Sequence, residues 1–178
     1  MDTTHSPFLT GALTWLGNGT VPDRCDVCGH EWTMESGEAV DAIAVSAERC
    51  AAILADRDGM AAAADGGWNA TAYVWHLTDL ANSWSERWVQ LSHDPGSPLA
   101  GWDPDGLAAA RNYRNLPTLP ALWAFERATT TFVDLSREID HATPFEHGDW
   151  GPGTVADGLC WLAHEYVHHQ LDVDARAR

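Results

Sequence analysis

The chain contains no lysine. All ten basic residues are arginine, set against 26 Asp and Glu, and the formal net charge at pH 7 is -16. Nucleic-acid backbones are held by clustered Lys and Arg, so this balance argues against DNA or RNA as a partner. It argues equally against anionic membrane surfaces. No apolar run approaches the roughly 18 residues that a membrane-spanning helix needs, and no apolar leader follows Met1. Four cysteines, Cys25, Cys28, Cys50 and Cys160, are too few and too scattered for a disulfide scaffold. A cytoplasmic protein with reduced thiols is expected.

What the chain does have is an ordinary globular balance, 45% hydrophobic and 20% charged over 178 residues, enough for one domain with a full core. Tryptophan is the exception, with ten copies. Core packing alone rarely needs so many, and pockets favour large rigid aromatics, so some are expected to line one.

Periodicity divides the chain into an irregular arm over 1–37 and a helical unit over 38–178. In the arm, Phe8, Leu9, Leu13, Trp15 and Leu16 can pack as a short segment between glycines. A first helix is expected over 38–64, with Val40, Ile43, Ala47, Ile53, Leu54 and Met60 at helical spacing, stopped by Asp65-Gly66-Gly67. A second runs over 71–91 behind a candidate cap, Asn69, with Tyr73, His76, Leu77, Leu80, Trp84 and Trp88 in one stripe. A broken loop over 92–105 and a short turn over 107–113 lead to a third helix ending near Asp140. After Gly151-Pro152-Gly153, the fourth spans 154–174, with Thr154 or Asp157 as its cap. Four amphipathic helices with no convincing strand predict an all-α four-helix bundle.

The fourth helix carries the chemistry. His164 and His168 are four apart and stack on one helical face, where two imidazoles can grip a divalent ion. The bland alternative is a pair of histidines placed at a helix C-terminal end by the dipole. His76 is the histidine embedded in an apolar stripe. By itself it would be a core residue, but a bundle builds metal sites from facing helices, and His76, His164 and His168 make a three-imidazole set with an open position. Zinc is expected, with nickel or iron as alternatives. Asp79 either orients a ligand or faces solvent, and solvent is favoured. His169, about 100° round the helix from His168, lies off that face, behind the ligands or at a seam. His164-Glu165-Tyr166-Val167-His168 also matches the H-E-x-x-H of zinc peptidases. Those families take a third ligand farther downstream, and the nine residues after the adjacent His169 hold no His or Glu. Only Asp172 or Asp174 could serve, so the peptidase reading is disfavoured.

Trp68-Asn69-Ala70-Thr71-Ala72-Tyr73-Val74-Trp75-His76-Leu77-Thr78-Asp79, Gly101-Trp102-Asp103-Pro104-Asp105, and the stretch from His164 to Val173 occur in an order and spacing that resemble the DinB-like superfamily. This group includes metal-dependent thiol transferases such as mycothiol-dependent maleylpyruvate isomerase. The resemblance runs from about Cys25 to Val173. It implies a four-helix bundle with a metal at one end and puts the family's metal triad on His76, His164 and His168. Cys25-Asp26-Val27-Cys28-Gly29-His30-Glu31 is similar to the C-x-x-C-G-F-D element of an actinobacterial subgroup, with His30-Glu31 in place of Phe-Asp. The two thiols could be small buried groups of a turn, half of a second metal site helped by His30, or a redox pair.

The expectation is therefore a metal-dependent enzyme acting on a small molecule, a transferase that uses a low-molecular-weight thiol of the mycothiol type. Glu165 and Tyr166 are the candidate catalytic residues. Trp84, Trp102, Trp150 and Tyr166 are pocket candidates, and Arg87 or Arg111 would hold a substrate carboxylate. Arg87, Trp84 and Trp102 are the expected cofactor contacts. The alternatives are a hydrolase or acid–base enzyme with Glu165 as base, and a metal-binding or stress-response protein without catalysis. Exposed seams on such bundles suggest a homodimer.

Overall fold

The protein is described by a computed structural model over residues 8–10, 12 and 23–178. Among the described residues the order holds six α-helices, a 3-10 turn over Tyr113–Asn115 and a small sheet. Helices α1 (Ser36–Ala44) and α2 (Ser46–Leu54) form the first arm of the bundle. Helix α3 spans Ala70–His93, α4 spans Pro104–Arg111, α5 spans Thr118–Glu138 and α6 spans Val155–Arg176. Strands β1 (Pro98–Leu99), β2 (Pro144–His147) and β3 (Gly151–Thr154) join in the order β1-β2-β3.

The expected all-α four-helix bundle is present, with α1–α2, α3, α5 and α6 as its members. Three local expectations change. The first helix is interrupted at Val45, whose φ of -91° and ψ of -4° leave the helical ladder, and it ends at Leu54 rather than near residue 64. Beyond it, Thr71 N–H donates to the Gly59 carbonyl at 2.9 Å, so this stretch braces α3 instead of extending α2. The third change is the sheet. β1 runs parallel to β2, pairing Leu99 with His147, and β2 runs antiparallel to β3, pairing Phe145 with Gly153. Gly-Pro-Gly-Thr has weak strand propensity, which hid it. Tertiary packing overrides that: Phe145 and His147 point inward, and a Cβ at Gly153 would lie 2.6 Å from that of Phe8. Phe8 and Leu9 are buried as expected; Leu13, Trp15 and Leu16 lie outside the described residues.

The helix starts follow the sequence closely. Asn69 accepts from the Ala72 N–H at 2.9 Å. Thr154 and Asp157 cap α6 together as a capping box, each satisfying the other's backbone N–H. Asp103 caps α4, which has Pro104 in its first turn and ends on Asn112 in the left-handed region, φ 57°.

Core packing aims the site-bearing helices. Trp84 and Trp88 of α3 are 1% exposed and meet edge to face at 5.0 Å. The Trp88 indole N–H donates to Ser136 Oγ at 3.0 Å, tying α3 to α5. Gly158 of α6 lets those indoles lie against its backbone; a Cβ there would sit 2.9 Å from Trp88 and 3.3 Å from Trp84. This contact sets α3 against α6 with His76 facing the second half of α6.

Candidate metal centre and pocket

The segment His164-Glu165-Tyr166-Val167-His168-His169 encodes two interleaved pairs at i,i+4 spacing, one residue out of phase. Because each residue turns the helix by about 100°, the pairs look in different directions. The structure gives each pair its own partners. Glu165 and His169 gather with His76, while His164 and His168 gather with Cys25 and Cys28. In each group one ligand atom per residue lies within 4.8 Å of the others. The expected triad of His76, His164 and His168 is thus divided. His76 projects from α3 toward the face that carries Glu165 and His169, and His169, expected off the metal face, takes the place assigned to His168.

In the first group, Glu165 Oε2 lies 3.9 Å from His76 Nε2 and 3.4 Å from His169 Nε2. Tetrahedral ligands about 2.1 Å from a zinc ion stand about 3.4 Å apart, so the spacing suits one divalent ion. His76 presents Nε2 to Glu165, and its Nδ1 is buried without a hydrogen-bond partner. His169 Nδ1 lies 2.7 Å from Asp172 Oδ2, the carboxylate support that ligating histidines usually have on the ring nitrogen away from the ion. The His76 ring stacks parallel to Trp102 at 5.9 Å and touches Trp68 at 5.2 Å. A divalent ion held by these two imidazoles and one carboxylate would keep an open position.

The protonation states follow from burial and neighbours. Burial would raise Glu165, but the rings of His164, His169 and His76 outweigh it and hold the carboxyl well below the usual range. His76 is pushed down by burial, which exceeds the pull of Glu165. Burial opposes charge on His169, yet Asp172 and Glu165 raise it to about 9. In the second group, the turn at Cys25 and Cys28 sits against α6, with Cys25 Sγ 3.6 Å from His168 Nδ1.

A cavity of about 530 Å³ opens beside the first group, lined by His76, Glu165, Trp102, His147, Trp150 and Trp161 among others. Trp102 and Trp150 are therefore pocket walls, as expected. Trp84 is not; it is closed in the core beneath His147, with ring centroids 6.4 Å apart. Tyr166 is likewise a core residue. Its position one step from Glu165 turns it into the bundle, where it is fully buried, packs on Phe125 at 5.8 Å and donates to the Leu77 carbonyl. It does not line the cavity.

Neither candidate arginine lines the cavity. Arg87 lies over the Trp84 ring at 4.5 Å and donates to the Ala100 carbonyl. Arg111 is bound to Asp79, which also accepts from the Tyr113 hydroxyl. Asp79 is 5% exposed, so its expected solvent position is corrected: it clamps α4 and the following turn to α3. The cavity wall contains Asp103, Asp149 and Glu165 but no Arg or Lys, which disfavours an anionic substrate.

His147 is the pocket residue that sequence reasoning passed over. It is 1% exposed, stacks on Trp150 at 4.2 Å, and leaves Nε2 without a partner. Burial and then the Arg87 charge push it down to about 4, so the ring is neutral. Its only sequence signal was an aromatic neighbour, Trp150, across a glycine turn.

No family model matches the chain, and no curated protein matches it in sequence. Its fold has a solved counterpart. YfiT from Bacillus subtilis, described as a probable metal-dependent hydrolase with an unusual four-helix bundle topology, superposes with a TM-score of 0.67. The match covers 79% of this chain and 86% of that one at 15% identity, a level that speaks for the fold alone. No helix among the described residues is long and apolar enough to cross a membrane.

Proposed function

We propose that the protein is a metal-dependent enzyme in which His76, Glu165 and His169 hold the ion and the adjoining aromatic cavity holds a small, uncharged or cationic substrate. The observation that carries this reading is the facing of that three-ligand group on a cavity of about 530 Å³. A divalent ion there supplies Lewis acidity, lowering the pKa of a thiol or water that takes the open position. The chain's own groups do the rest. Asp172 fixes the tautomer and angle of His169. Trp102 and Trp150 pack the apolar part of the substrate and keep bulk water away from the ion. The neutral His147, with a bare Nε2 on the cavity wall, donates a hydrogen bond to a substrate carbonyl or leaving oxygen.

Within this class we favour transfer of a low-molecular-weight thiol to an electrophile, with zinc as the ion. The support is the sequence resemblance to thiol transferases together with a cavity roomy enough for a thiol and a second reactant. Hydrolysis is the second reading, favoured by the fold counterpart YfiT, whose description is that of a probable hydrolase. Glu165 belongs to the ligand group in either case, which leaves the role of base to another residue. Purified protein loaded with zinc would be given a panel of neutral electrophiles and esters with and without thiol. Turnover that rises with thiol concentration and disappears in H76A and H169A supports transfer. Thiol-independent turnover supports hydrolysis. Full metal binding at this group with no turnover of either kind would defeat the enzymatic reading.

A further inference from the structure

The second group is not absorbed by this function. Cys25 and Cys28 sit on a short turn whose ends pair as an isolated antiparallel bridge, Arg24 to Glu31. Cys25 N–H donates to the His30 carbonyl at 2.8 Å, and Gly29 N–H returns to the Cys25 carbonyl at 2.9 Å. Gly29 takes φ +74°, and a Cβ there would lie 2.8 Å from the Arg24 guanidinium, so glycine suits the position twice over. The turn presents both thiols toward α6, with Cys25 Sγ 3.6 Å from His168 Nδ1. Opposite it, His164 and His168 present their rings from one face of α6, with centroids 5.1 Å apart.

From this geometry we infer a second metal site, a closed tetrahedral Cys25–Cys28–His164–His168 centre that binds zinc and fastens the N-terminal segment to α6. The ligand types and both spacings, C-x-x-C and H-x-x-x-H, are those of structural zinc sites; here most of the chain separates the two halves. Binding displaces one proton from each thiol, and two thiolates with two neutral imidazoles balance the ion's charge. Four protein ligands leave no open position, so the role is structural. The ion closes a loop that runs through almost the entire bundle, the situation in which a crosslink restricts the unfolded chain most. It also holds Trp32, whose ring lies 4.6 Å from that of His164, over the end of the bundle. The inference stands whether or not the first group is catalytic, since the two share no ligand.

Cobalt(II) is the probe. Wild-type full-length protein loaded with Co²⁺ should show thiolate-to-cobalt charge-transfer absorption and the intense visible bands of a tetrahedral ion. H76A should keep both, and C25S/C28S should lose the charge-transfer band. In the zinc-loaded wild type, Cys25 and Cys28 should resist alkylation by iodoacetamide and become reactive when a chelator strips the ion. The spectrum and the alkylation test need no variant, so a C25S/C28S protein that fails to fold does not rescue the idea. A loaded wild type without the charge-transfer band, a band that survives in C25S/C28S, or a Cys25–Cys28 disulfide in the loaded protein would overturn it.

Discussion

Replacing Asp172 with Asn tests whether His169 is a ligand. Asp172 is three residues from His169 on α6, and its Oδ2 lies 2.7 Å from His169 Nδ1. The substitution keeps size and shape but removes the charge that orients the ring and raises its basicity. Losing such a supporting carboxylate typically costs about 10- to 100-fold in metal affinity, or about 1.4–2.7 kcal/mol. The Asp172 side chain is 30% exposed, so solvent weakens its field and the lower end, about tenfold, is expected. The assay is competition for zinc against a chromophoric chelator, with H76A as the reference in which this group is already broken. D172N should hold the ion more weakly than the wild type and more tightly than H169A, with its helical content unchanged. Affinity equal to the wild type would refute the reasoning, because an Nδ1–carboxylate pair would then have no ion to serve.

Other outcomes follow from the packing. Asp79 is a buried carboxylate bound by Arg111 and Tyr113, so D79A should lose about 2–3 kcal/mol in urea unfolding, and Y113F only about 1 kcal/mol. G158A should cost about 1–3 kcal/mol by pressing a methyl group into the Trp84–Trp88 pair, seen as a lowered Tm, whereas G37A on the open side of α1 should be silent or mildly stabilising. His147 has a folded-state value of about 4 against an ordinary 6.5. The unfolded chain therefore binds the extra proton first: this stability is complete above pH 6.5 and is lost as pH falls toward 4, by about 2–3 kcal/mol. Unfolding free energy measured across that window should flatten in H147Q. W102A should raise KM at the pocket while leaving bound metal unchanged.

Much of this molecule was legible because local rules govern it. The caps at Asn69 and Thr154–Asp157 are short-range hydrogen bonds, and the helical stripes report one buried face each. Illegible features depended on distant partners. The 144–154 hairpin has glycine and proline where strands prefer branched side chains, and it exists because Phe8 and the first turn of α6 cover it. Asp79 read as a surface acid because its partners, Arg111 and Tyr113, come from 32 and 34 residues downstream.

The sequence by itself determined that residues 164–169 pair on two helical faces, since the i,i+4 spacing of His164 with His168 and of Glu165 with His169 follows from backbone geometry alone. It could not determine which pair meets His76. One residue is about 100° of helix rotation, and adjacent residues serve different neighbours. Only the packing of α3 on one side of α6, set by Trp84, Trp88 and Gly158, and of the Cys25–Cys28 turn on the other decided that His76 joins Glu165 and His169 while the two thiols join His164 and His168.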